Sequence, residues 1–269
     1  MIVVLLKDVL SFFKRHFKPM LVLALPAFCV LALIFEFSGI EATIAEYVKQ
    51  AMPSETAETA PTAIVLPEVS LTTGLLSIVY LLGCLFPVAL IIQYIRLIFA
   101  GEPAPYGRVY SYAIALWGKM IAIYLTIFGG MAVVILTLLG LFTAIGLNQV
   151  VSSLLLNVIL IGAVYIYHRL SLAPYFCAHQ TLSVQQALRL SWQKARPYVF
   201  YLVIGHMLLY MAALIIISVI AQIGQNIVPP VALGGFSFLL DLLVSVASIL
   251  QTIFAFRVFA IANEGEQPM

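Results

Sequence analysis

Six runs of this chain, at residues 20–40, 71–100, 120–143, 147–170, 198–222 and 236–260, are long and apolar enough to cross a bilayer as helices. A spanning helix needs about 20 mostly apolar residues to traverse a hydrocarbon core of about 30 Å. Few folds other than a helical membrane domain can accommodate six such runs. Composition agrees: 64% of residues are hydrophobic, 9% are charged and the mean hydropathy is +1.13. Soluble domains carry charge on about a quarter of their residues. The connections are short except for residues 41–70, so we expect one polytopic domain over residues 1–269.

Charge orients the domain. Lys7, Lys14, Arg15 and Lys18 precede the first run, and Arg96, Arg108 and Lys119 lie between the second and third. Arg169, Arg189, Lys194 and Arg196 lie between the fourth and fifth, and Arg257 ends the sixth. Of 13 Lys and Arg residues, only Lys49 falls on the other side, among Glu41, Glu46, Glu55, Glu58 and Glu68. Basic residues are retained on the cytoplasmic side, which places both termini there. The net charge of +2 sums two opposed faces and says little by itself. Residues 1–18 have apolar positions ahead of their charges, unlike a cleaved signal, so no cleavage is expected. Residues 41–70 are expected to form a solvated periplasmic loop with one short helix near 43–52. That loop reads either as a spacer or as an acidic lip for cations or a partner. Cys29 and Cys84 lie inside apolar runs and Cys177 in a basic gap, so free thiols are expected.

The returning spans end alike, at Gln93-Tyr94-Ile95-Arg96, Tyr167-His168-Arg169 and Ala255-Phe256-Arg257. The elements leading outward also match: Leu116-Trp117-Gly118-Lys119 resembles Ser191-Trp192-Gln193-Lys194. The expectation is an all-α membrane protein of three helical hairpins, each entered by an amphipathic cytoplasmic interfacial helix. These entry segments are residues 1–18, 101–119 and 175–197. In the third, Ser183 and Gln186 fit a capping box, and Val184, Leu188, Trp192 and Ala195 recur along one face while Arg189, Gln193 and Arg196 share another. Trp117 and Trp192 are expected to anchor at the headgroups.

The stretch Arg169 to Lys194, RLSLAPYFCAHQTLSVQQALRLSWQK, resembles the YciC-like family of bacterial inner-membrane proteins. The residues carrying the resemblance are Arg169, Leu172, Ala173, Pro174, Ala187, Leu188, Ser191 and Trp192. Related modules accompany some glycerophosphodiester phosphodiesterases, a domain this sequence does not contain. The resemblance implies a Gram-negative inner membrane and no established activity.

Ionisable groups inside a bilayer cost about 2.5–3.5 kcal/mol on insertion scales, so each calls for a reason. Arg96, Arg169 and Arg257, with Arg189 and Lys194, read either as topology determinants or as a site for anionic headgroups, since guanidinium forks suit phosphate. Glu36, Asp241 and His206 read either as residues reaching the interface or hydrogen-bonded within the bundle, or as transport or proton-handling groups. Gln93, Asn157 and Gln251 suit interhelical hydrogen bonds, Gly129-Gly130 suits close approach, and Pro26 and Pro87 can bend spans.

No H-E-x-x-H helix, paired Cys motif, G-x-S-x-G elbow or phosphate-cradling Gly loop occurs. Glu102 is the only acid between Glu68 and Asp241. No metal, cofactor, catalytic residue or nucleic-acid partner is therefore expected. Two functions stay open: a non-enzymatic lipid-interacting or scaffold protein of membrane maintenance, or a small transporter with a cavity between hairpins. Membrane lipids are the expected partners, with a membrane-protein partner and the oligomeric state left open. A polar cavity among the spans favours transport; basic residues gathered at one plane favour lipid interaction.

Overall fold

The computed structural model describes residues 1–38, 71–146, 148–180, 182–228 and 233–264, which leaves the expected loop 41–70 and its acidic residues outside the described part. The described residues contain helices and no strand. Six helical stretches are long and apolar enough to span: Ile2–Glu36, Leu71–Phe99, Tyr106–Phe142, Leu154–Gln180, Arg196–Gly224 and Phe236–Asn263.

Helix α1 (Ile2–Ser38) runs unbroken through the boundary expected at residue 18. Leu5, Val9, Phe12, Met20, Leu23, Phe28 and Leu31 are buried at spacings of three to five, apart from a step of two turns between Phe12 and Met20 bridged by the half-buried His16, so one face continues inward from the N-terminal turns into the span. The first 18 residues therefore pack as part of the bundle, while Lys7, Lys14, Arg15 and Lys18 occupy the exposed face.

The second span divides at Cys84 into α2 (Leu71–Gly83) and α3 (Leu85–Phe99). Pro87 sits in the first turn of α3, where its missing N–H is tolerated. Ala89, Leu90, Ile91, Ile92, Ile95 and Leu97 are buried, so α3 is enclosed on every side. A helix apolar all round belongs at a core, and α3 touches α1 and the helices Tyr106–Ile145, Ala173–Gln180 and Leu233–Glu264. Gly101 ends α3: at φ +67° its N–H donates to Ile98 O at 3.1 Å, and the Glu102 N–H donates to Leu97 O at 3.0 Å. These are the two bonds of a Schellman termination.

Helix α4 (Tyr106–Ile145) begins inside the expected surface segment 101–119 and continues as a single span. Val109, Ala113, Leu116, Met120, Ile123 and Ile127 form its buried face against α3. Helix α5 (Gln149–Leu170) starts at Asn148, whose side chain accepts from the Val151 N–H at 2.9 Å. Next come α6 (Ala173–Gln180), α7 (Val184–Lys194), a 3-10 turn (Arg196–Tyr198), α8 (Val199–Ile227) and α9 (Leu233–Glu264).

The expected interfacial segment 175–197 thus divides. Ala173 to Ala178 are all buried, so α6 lies inside the protein; α7 and the turn carry the exposed polar face. Helix α1 packs on α2, α3 and α9, and α9 on α8; α4 packs chiefly on α3 and touches α5 less. Burial is concentrated around α3, α6 and the C-terminal half of α9. Elsewhere α4, α5 and α8 expose large apolar side chains, including Leu125, Val133, Leu136, Leu154, Val158, Ile161 and Ile215, as lipid-facing helices do.

Candidate functional site

Each of the three returning-span arginines holds its own contact. Arg96 Nη1 donates to the Ala178 carbonyl at 2.9 Å, and its guanidinium lies 5.1 Å from the Tyr112 ring centre. Arg169 Nε donates to the Trp192 carbonyl at 2.8 Å, with its guanidinium 3.7 Å over that indole; Ser191 Oγ donates back to the Arg169 carbonyl at 2.9 Å. Arg257 Nη2 donates to Asp8 Oδ1 at 3.1 Å. Its Nε lies 2.9 Å from Asp8 Oδ2 without hydrogen-bond alignment, so that approach is ionic only. Phe12 and Phe99 flank this guanidinium at 5.3 and 4.6 Å.

A pattern joins the three. Arg96 meets the start of α4, Arg169 meets α7 ahead of α8, and Arg257 meets the start of α1. Each of these spans is thereby tied to an element that begins or precedes another span. The common three-arginine pocket considered from the sequence is absent from the cavities described below, because these guanidinium groups are engaged by protein partners. Exposed cations lie elsewhere: Lys7, Lys14, Arg15 and Lys18 on α1, and Arg189, Lys194 and Arg196 on and just after α7, beside the partly exposed Trp192.

Trp117 also departs from expectation. Its indole N–H donates to the Leu82 carbonyl at 2.9 Å, and its ring meets Phe86 edge-on at 5.7 Å. Because α4 runs straight through residue 119, Trp117 packs at the α2–α3 break rather than at a separate surface helix. Gln93, expected to bond between helices, is buried with Oε1 lacking a partner among the described residues.

Between α5, α8 and α9 lies an open cavity of about 490 Å³, bordered also by Val88, Tyr124 and Tyr175. Its polar lining comprises His168 and Ser171 at the end of α5, His206 of α8, and Ser248, Gln251 and Thr252 of α9, together with tyrosines. The His168 and His206 rings are 5.4 Å apart. His168 Nδ1 lies 2.9 Å from the Val164 carbonyl and His206 Nδ1 2.8 Å from the Leu202 carbonyl. A carbonyl only accepts, so Nδ1 carries the proton in His168. His206 is thus engaged within its own helix and also by the Gln251 backbone of α9, and Phe254 meets its ring edge-on at 5.6 Å.

Helix α9 extends the polar lining. Ser245 Oγ donates to Asp241 O at 2.9 Å, Ser248 Oγ to Ser245 O at 2.7 Å and Thr252 Oγ1 to Ser248 O at 2.8 Å. The spacing of three and four puts Asp241, Ser245, Ser248 and Thr252 on one face. That face borders a second cavity of about 770 Å³, walled mainly by apolar residues including Phe28, Phe35, Leu85 and Phe128. Val88, Tyr124, Tyr167 and Ser248 line both cavities, so the two adjoin. Of the three transport candidates, His206 lines the polar cavity, Asp241 lines the apolar one, and Glu36 is exposed near the end of α1. His168 escaped notice in the sequence because it reads as part of the Tyr-His-Arg span ending.

Six helices of this length and apolarity suit a multi-pass membrane protein. No family model matches the chain, and neither does any curated protein or solved structure.

Proposed function

We propose that this protein is a non-enzymatic component of the bacterial inner membrane that holds a membrane amphiphile among its spans, in membrane-lipid maintenance. One observation carries the reading: a polar cavity adjoins a larger apolar one, so a single molecule with a polar end and a hydrocarbon body could occupy both. The exposed Arg189, Lys194, Arg196 and Trp192 suit an interfacial position for α7, with cations facing anionic lipid at the cytoplasmic surface. The one-sided basic residues support cytoplasmic termini, and the YciC-like resemblance supports the inner membrane. The matched arginine contacts support a three-hairpin repeat. Transport is the second reading, favoured by the Asp241, Ser245, Ser248 and Thr252 stripe that runs from one cavity to the other.

Extraction into native-lipid discs, followed by mass spectrometry, tests the proposal. The expected result is an enriched lipid in near-stoichiometric amount that is depleted when Ser248→Phe or Ala255→Phe fills the cavity. A lipid profile matching the bulk membrane in the parent protein overturns it. A stoichiometric protein partner without enriched lipid supports a scaffold instead.

A further inference from the structure

The chemistry of the lining narrows the amphiphile, on the condition that one binds at all. None of the described residues around the polar cavity is Lys, Arg, Asp or Glu. A formally charged headgroup would lie there without an opposite charge to offset its desolvation, which is costly in a low-dielectric site. Gln251 and Tyr210 bring N–H and O–H donors to the lining, but the groups whose protons the structure fixes present acceptors. Ser171 Oγ donates to His168 O at 2.9 Å, and Tyr175 Oη donates to Thr252 O at 3.1 Å. With Ser248 and Thr252, four hydroxyl groups have thus committed their protons to main-chain carbonyls and keep only lone pairs. His168 is in the same position, its Nδ1 proton held by Val164 O and its Nε2 left as an acceptor when the ring is neutral.

We infer that the cavity takes an uncharged lipid whose polar end donates a hydrogen bond, that is, a lipid alcohol, with its hydrocarbon body along the adjoining apolar cavity. A diacylglycerol and an isoprenoid alcohol share this chemistry. An alcohol can also accept from Gln251 or Tyr210, whereas a quinone, which offers carbonyl acceptors alone, meets only those two donors, and a phosphorylated lipid brings a charge the lining does not meet.

The test uses the full-length protein in discs of zwitterionic lipid and a photoactivatable diacylglycerol carrying its reactive group on one acyl chain. Competitors of equal chain length are diacylglycerol, its O-methyl ether and phosphatidate, alongside a polyprenol and a quinone. Labelling should map to peptides of α5, α8 and α9 and be competed by diacylglycerol or the polyprenol, whichever is the better source. The ether, which lacks the donor, should compete about threefold to tenfold less well, the effect of one net hydrogen bond. Phosphatidate should compete least.

Equal competition by the ether or by phosphatidate overturns the assignment of an alcohol, and preferential competition by the quinone does the same. If Ser248→Phe and Ala255→Phe still abolish labelling in those cases, amphiphile binding stands and only the headgroup class fails. Labelling that spreads over lipid-facing peptides and ignores both substitutions removes both proposals.

Discussion

Asp8 and Arg257 stand 249 positions apart in sequence yet form an ion pair, with side-chain exposures of 46% and 21%. At that exposure solvent screens much of the attraction, so the coupling measured by a double-mutant cycle should be about 1 kcal/mol or less. Arg257→Gln should nevertheless lower the thermal midpoint in detergent more than Asp8→Asn, because the guanidinium also fills the space between Phe12 and Phe99. Equal losses would show that the charge pair alone matters. Gln93 presents the opposite case. Its buried Oε1 has no partner among the described residues, and a buried acceptor left unpaired costs about 1–3 kcal/mol. Gln93→Leu should therefore raise the unfolding midpoint. A lowered midpoint would mean that the amide is engaged in the working protein. Gly205 faces the Phe254 ring so closely that even a methyl group would overlap it. Gly205→Ala should destabilise the protein by about 1–3 kcal/mol through overpacking, read as earlier denaturation, whereas Gly118→Ala, which has open space, should not.

At the scale of the element, α7 shows what local sequence can specify. Ser183 Oγ accepts from the Gln186 N–H at 3.4 Å, and the Gln186 side chain accepts from the Ser183 N–H at 3.2 Å, completing the capping box read from the sequence. Ser183→Ala should cost about 1 kcal/mol and speed amide exchange in the first turn of α7 while leaving α8 unchanged. Uniform exchange rates across α7 before and after the substitution would refute that role. The box was legible because its partners are three residues apart. Helix α6 was not, since Ala173 to Ala178 are apolar on every side and carry no periodicity to separate a buried helix from an interfacial one. Neither was the fate of the arginines: Ala178, Trp192 and Asp8 become their partners only through tertiary packing. The polar cavity was half legible. His206 stood out as an ionisable residue inside an apolar run, but its neighbours His168, Ser248 and Thr252 come from two other helices.

For the whole molecule, the arginine contacts supply a closed order that the returning-span endings only hinted at. Arg96 contacts α4 and α6, Arg169 contacts α7 and Arg257 contacts α1, so the last span closes back onto the first helix. This order is compatible with three repeated hairpins that share one basic end. The opposite ends expose apolar surface on α4, α5 and α8, which a bilayer covers without penalty. If the basic end faces the cytoplasm, Asn148, at the junction of α4 and α5, must face the other side. Single-cysteine reporters test this after Cys29, Cys84 and Cys177 are replaced by serine. In intact cells a membrane-impermeant maleimide should label Asn148→Cys and spare Gln185→Cys, and in inverted vesicles the pattern should reverse. Labelling of Gln185→Cys in intact cells, with Asn148→Cys protected, would turn the molecule over and place α7 with its cations on the outer face.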